Sequence, residues 1–120
     1  VNDYTNVAHR SLISMSEMLN KYPLAFGQWL VALDAALVAP EEVTIIGAPE
    51  DEDVQAMLAV AREGYHPHRL LAVGTGDLPP LLAHRQQADG KATAYACKNH
   101  ICLPPVTKSD ELREILASTK

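Results

Sequence analysis

Val43-Thr44-Ile45-Ile46-Gly47, Arg69-Leu70-Leu71-Ala72-Val73-Gly74 and Ala92-Thr93-Ala94-Tyr95-Ala96-Cys97 are the three short runs on which the fold turns. The first is strongly β-branched and the first two close on glycine, so each reads as a strand. Between the first and second, Asp51 or Glu52 can cap a helix whose apolar face is Val54, Met57, Leu58 and Ala61. Gly64 stands where a left-handed residue would end that helix. Between the second and third, Pro79 and Pro80 open a short helical turn through Leu81, Leu82 and His84, and Asp89-Gly90 turns the chain again. After the third, Lys108 or Ser109 starts a last helix carrying Leu112, Ile115 and Leu116. Asp110 and Glu111 sit in its first turn, where the helix dipole favours negative charge. Strands separated by helical stretches imply crossovers and hence parallel pairing. The expectation is a three-stranded parallel sheet of order 2-1-3 with flanking helices, its β-branched first strand central and buried on both faces.

Upstream of Pro40 the period changes. Tyr4, Ala8, Leu12, Met15, Leu19 and Tyr22 recur at steps of three or four, predicting a helix from about Asp3 to Asn20. Pro23 suits the first turn of a second helix, because its missing N–H costs nothing there. Phe26, Trp29, Leu30, Leu33, Ala36 and Leu37 continue the stripe until Pro40 stops it. The pair predicts an antiparallel hairpin that buries Leu12, Leu19, Phe26, Trp29, Leu30 and Leu33. Residues 1–39 are therefore expected as a helical hairpin and residues 40–120 as a small Rossmann-like α/β domain.

The chain has 120 residues, 48% of them apolar, which is enough for a core of ordinary domain size. Ten Lys and Arg against fifteen Asp and Glu give a net charge of -5, so there is no positive field to gather nucleic acid. The longest apolar stretch, Trp29 to Ala39, is broken by Asp34 and is about half of what a bilayer requires. The polar opening from Val1 to Asn6 lacks the basic start and apolar middle of a secretory signal, so a cytoplasmic address is expected. The start at Val1, without an initiator Met, points to a piece of a longer protein.

In open α/β sheets, ligands gather beyond the carboxyl ends of parallel strands. If all three strands run together, the loops after Gly47, after Gly74 and after Cys97 meet at one end. Gly74-Thr75-Gly76-Asp77 invites a phosphate or small-molecule reading, since glycines let backbone N–H groups approach an anion. A dinucleotide fingerprint would need a further glycine where Pro79 stands, and no Lys-Ser or Lys-Thr follows. Cys97 and Cys102 are the only cysteines, with four residues between them. Three readings of the pair stay open. It can be structural, pinning the loop before Pro104-Pro105; it can be a redox dithiol; or it can share a metal with His100 and one of His66 or His68. In a reducing compartment the dithiol is the expected form. The parallel fold puts His66-Pro67-His68 at the opposite sheet end from the cysteines, which argues against the metal. No cofactor and no metal site are expected. The acidic run Glu50 to Asp53 is explained by its place at a helix start.

The closing segment Ala94-Tyr95-Ala96-Cys97-Lys98-Asn99-His100-Ile101-Cys102-Leu103-Pro104-Pro105-Val106-Thr107, followed by Leu112, carries a motif. It resembles the C-terminal signature of the thioredoxin-domain-containing family related to spermatogenesis-associated protein 20. That pattern is an Ala-Tyr-x-Cys strand, a second Cys after four residues, then Pro-Val-Thr and a helix. The resemblance extends back through the Pro-to-Trp helix and the Val-Thr-Ile-Ile-Gly strand. It implies a larger parent with a thioredoxin-like domain and an α/α toroid akin to sugar epimerases and six-hairpin glycosidases. Residues 1–39 would then be the last hairpin of the toroid and residues 40–120 an α/β appendix, with a link to carbohydrate or thiol metabolism. The implied partners are the toroid and the thioredoxin-like domain of the same chain. Self-association through an exposed face of the helical pair is a further expectation. No thioredoxin active-site cysteine and no toroid catalytic acid falls in this sequence, so an accessory domain is expected rather than a complete enzyme. The alternative is a thiol-redox element that uses Cys97 and Cys102.

Overall fold

The computed structural model describes residues 2–77 and 79–119. They divide into two compact units, one ending at Ala39 and one beginning at Pro40.

The first unit is helical. Helix α1 spans Asn2–Ser14, α2 spans Ser16–Lys21 and α3 spans Gly27–Leu37. The single long first helix expected from the periodicity is interrupted at Met15, and Pro23 opens a 3-10 turn, Pro23–Ala25, rather than α3 itself. Helices α1 and α3 touch. Of the six residues expected inside, only Leu19 is buried; Leu12, Phe26, Trp29 and Leu33 are half-buried and Leu30 is exposed.

The second unit is a four-stranded mixed sheet of order β2-β1-β3-β4. Strand β1 is Glu41–Ile46, β2 is Arg69–Gly74, β3 is Thr93–Lys98 and β4 is Ile101–Cys102. Helix α4, Glu52–Ala61, makes the crossover from β1 to β2, and these two strands pair in parallel from Glu41 opposite Arg69 to Ile46 opposite Gly74. Val43, Thr44, Ile45 and Ile46 are all buried, as a strand covered on both faces must be. Val43 and Ile45 pack with Ala94, Ala96, α4 and helix α5, Ser109–Ser118. Ile46, Ala72 and Tyr95 meet Leu81 and Leu82 on the other side.

The expected three-stranded parallel sheet is wrong in two respects. Strand β3 runs antiparallel to β1, with Ile46 opposite Thr93 and Glu41 opposite Lys98. A fourth strand, β4, pairs antiparallel to β3. The cause lies in the connection across residues 75–92. A parallel return must recross the sheet, and six strand residues span about 20 Å, the length of about 13 helical residues. Among its described residues that connection holds two 3-10 turns, Pro80–Leu82 and Ala88–Gly90, and no longer helix. Prolines and glycines break it too often for a crossover helix. Its described residues 79–92 lie instead as a strap over one face of the sheet and lead into β3 from the end where β1 and β2 finish.

Candidate functional site

The reversed strand redistributes the residues singled out from sequence. Gly47 and Gly74 remain neighbours at one end, where the Gly47 N–H donates to the Gly74 carbonyl at 3.0 Å. Both sit in tight packing, and at Gly47 the space for a side chain is absent. A Cβ at Gly47 would stand 2.5 Å from Val54 Cγ2, and one at Gly74 would stand 3.0 Å from Leu82 Cδ1. Thr75, Gly76 and Asp77 lie exposed beyond them. Cys97 and Cys102 are at the opposite end of the sheet, because Cys97 pairs with Glu42 near the start of β1. The expected meeting of three loops therefore does not occur.

The same reversal brings His66-Pro67-His68 to the cysteine end, since the Glu41 N–H donates to the His68 carbonyl at 3.0 Å. The expected separation of these histidines from the cysteines was thus an error of topology. Proximity to that end makes no metal centre: among the described residues no group of three His, Cys, Asp or Glu side chains is placed to hold an ion.

The hairpin from β3 to β4 is built by its own sequence. Lys98 and Ile101 flank a two-residue turn in which Asn99 and His100 have φ of 52° and 63°. Positive φ at both central positions is what a type I′ turn requires, and it matches the twist of the flanking strands. Asn tolerates this conformation better than most residues. Cys97 and Cys102 are then directly opposed, with Cα atoms 4.0 Å apart, and a disulfide joins them. Cys97 is 4% exposed, whereas Cys102 lies exposed on the short outer strand. A cavity of about 250 Å³ opens beside this hairpin, lined by Glu41, Ala96, Cys97, Lys98, Ile101 and Leu103 among others.

Arg85 is the candidate-site side chain that the sequence motifs do not mark. It comes from the strap, immediately after His84, whose φ of 62° is left-handed. Its Nη2 donates to Cys97 Sγ at 3.4 Å. Its Nη1 donates to the Thr44 hydroxyl at 2.8 Å and also to the Leu81 carbonyl. The guanidinium carbon lies 5.8 Å from the centre of the Tyr95 ring, within cation–π range. Tyr95 is itself fixed by its hydroxyl, which donates to the Gln86 carbonyl at 2.7 Å. No local motif marks Arg85, because its partners come from β1, β3 and the strap. The Cys-x4-Cys spacing with Asn99 between was a legible signal for the hairpin: in a two-residue turn, residues five apart face each other.

Below the hairpin, Glu41 accepts from Arg69 Nε at 2.7 Å and from the Thr119 hydroxyl at 2.7 Å. Burial pushes the Glu41 carboxyl up, but the hydrogen bonds from Thr119 and Arg69 and the charge of Arg69 outweigh it. Its pKa lies below the ordinary carboxylate value. This cluster ties the starts of β1 and β2 to the end of α5.

The fold and the site define a mixed α/β domain with a disulfide-closed edge hairpin and a guanidinium against its buried sulfur. The chain is similar to spermatogenesis-associated protein 20. It is 29% identical to the human protein over 112 residues, covering 88% of this chain and 14% of that protein, and the rat protein gives the same figures. The mouse protein is 28% identical over the same extent. The chain thus spans about one seventh of the length of these curated relatives, and in them the matching region is part of a much larger protein. No family model matches the sequence. No solved structure matches it. Among the described residues no helix is long and apolar enough to cross a membrane.

Proposed function

We propose that this chain is an accessory α/β domain that packs against, and completes, a helical toroid in a larger protein. One observation carries the reading: the helical unit is rich in large apolar residues, yet Leu19 is its one buried hydrophobic among the described residues. Tyr4, Val7, Ile13, Val31 and Leu37 are all more than half exposed. Helices with unburied apolar faces gain their stability from neighbours, since isolated short helices are marginal in water. The coverage of the relatives supplies a source for such neighbours, because the matching region is a seventh of each. The partners in this reading are the remaining hairpins of the toroid and the N-terminal thioredoxin-like domain of the same protein.

Hydrogen exchange tests it. In the chain by itself, amides of α1 and α3 exchange far faster than those of β1, and in a longer protein that includes this segment they become protected. Helical amides as protected as the sheet in the chain alone, at every concentration, would end the reading. Protection that rises with concentration, together with dimers in light scattering, would assign the apolar face to a second copy instead.

A further inference from the structure

We propose that the Cys97–Cys102 hairpin is a thiol–disulfide exchange site in which Cys102 is the sulfur attacked and Cys97 the leaving group, held as a thiolate by Arg85. The two sulfurs are unequal. Cys102 is exposed on the edge strand, so an incoming thiolate can reach it, whereas Cys97 is buried beneath the strap. Exchange is faster when the departing sulfur is better stabilised as an anion, and a neighbouring cation supplies that stabilisation. Arg85 is already in place, its Nη2 3.4 Å from Cys97 Sγ and its other contacts made to Thr44, Leu81 and the Tyr95 ring. The charge developing on Cys97 therefore meets a fixed donor with little reorganisation. Glu42, directly opposite Cys97 in the β1–β3 register, has the wrong sign for this task, and the cation that touches Cys97 Sγ is Arg85 of the strap.

A purely structural bond explains less of this arrangement. Closing so short a loop gains less from chain entropy than closing a long one. The hairpin is also held without it, by the turn at Asn99-His100 and by the Leu103 N–H donating to the Ala96 carbonyl at 2.9 Å. The strands stay in register when the bond opens, and the sulfurs stay close enough to close it again.

The chemistry balances with a dithiol as co-reactant. Its thiolate attacks Cys102 Sγ; a mixed disulfide forms, the Cys97–Cys102 bond breaks, and the electron pair leaves on Cys97. The second thiol of the reductant loses its proton to water and attacks its own mixed-disulfide sulfur. That step releases the Cys102 sulfur, which takes up a proton. The dithiol ends as a disulfide and the hairpin gains two electrons. Run backwards, the reduced hairpin reduces a partner disulfide.

The test uses the full 120-residue chain. Dithiothreitol is the dithiol for rates. Glutathione, with rapid iodoacetamide quenching, traps the first intermediate for peptide mapping. The expected map has glutathione on Cys102 and the alkyl group on Cys97. Arg85→Met should slow reduction by about tenfold, Arg85→Lys should recover most of the loss, and the thiolate absorbance of the reduced chain should appear at higher pH in Arg85→Met. Glutathione on Cys97 would overturn the proposal. So would a folded Arg85→Met chain reduced at the wild-type rate with an unshifted thiolate titration. If Arg85→Met does not fold, the map and the thiolate titration of the unaltered chain decide: glutathione on Cys102 with an ordinary Cys97 titration would also overturn it.

Discussion

The helical unit and the α/β unit use apolar sequence in opposite ways. In the α/β unit, Val43, Ile45, Val54, Met57, Ala94 and Leu112 are all at or near zero exposure, each element facing another across the sheet. In the helical unit, Ile13 and Leu37 are 72% and 75% exposed. Both patterns look alike in one dimension, as apolar residues at regular intervals. The difference is that a sheet with helices on one face and a strap on the other closes on itself, whereas three short helices have too few faces to enclose a stripe. Apolar periodicity states that a face is to be covered and leaves open by what.

The largest expected effect is therefore in the α/β core. Leu112→Ala removes a fully buried side chain wedged between α5 and the sheet, and should cost about 2–5 kcal/mol in chemical denaturation. A loss under about 1 kcal/mol would show this core to be as loose as the helical unit, and the comparison would fail.

Glu41→Gln should cost less, about 1–3 kcal/mol, because the Glu41 and Arg69 side chains are 15% and 6% exposed and the change leaves Arg69 half-partnered. The pH dependence has a fixed sign. The Glu41 pKa is lowered on folding, so its contribution is present above the ordinary carboxylate range and is lost as pH falls through the lowered value. Acid titration of stability in wild type and Glu41→Gln should converge at low pH. Curves that stay parallel down to acid pH would mean that the carboxylate does not carry the link between β1, β2 and α5.

The smallest effect belongs to the helical unit. Val31 is 64% exposed, and Val31→Ser should change the stability of the α/β unit by no more than about 0.5 kcal/mol in the chain alone. A loss comparable with that of Leu112→Ala would show the face to be covered in solution already, which would sharpen the contrast into a question of what covers it.

Much of the α/β unit was readable residue by residue. β-Branched Val43 to Ile46, flanked by a capped helix pattern and followed by a second glycine-ended run, predicted a βαβ unit, and β1 and β2 pair in parallel around α4. The direction of β3 departs from the expected one because the proline-rich segment before it turns the chain instead of crossing the sheet. Helicity alone does not say how far a segment travels, and 3-10 turns of three residues cover about 6 Å each. That single reversal moved the cysteines away from the glycine loops and towards His66 and His68.

The sequence by itself determined the β1–α4–β2 unit and the start of α5, the burial of Val43 to Ile46, and that Cys97 and Cys102 lie close together. Those are properties of local period, turn chemistry and spacing, and they travel with the chain. Only the tertiary structure decided the direction of β3 and the meeting of Arg85 with Cys97. The strap carries Arg85 back across β1 to residues 41 and 12 positions away in sequence, Thr44 and Cys97, and no local pattern records a contact made by such a return.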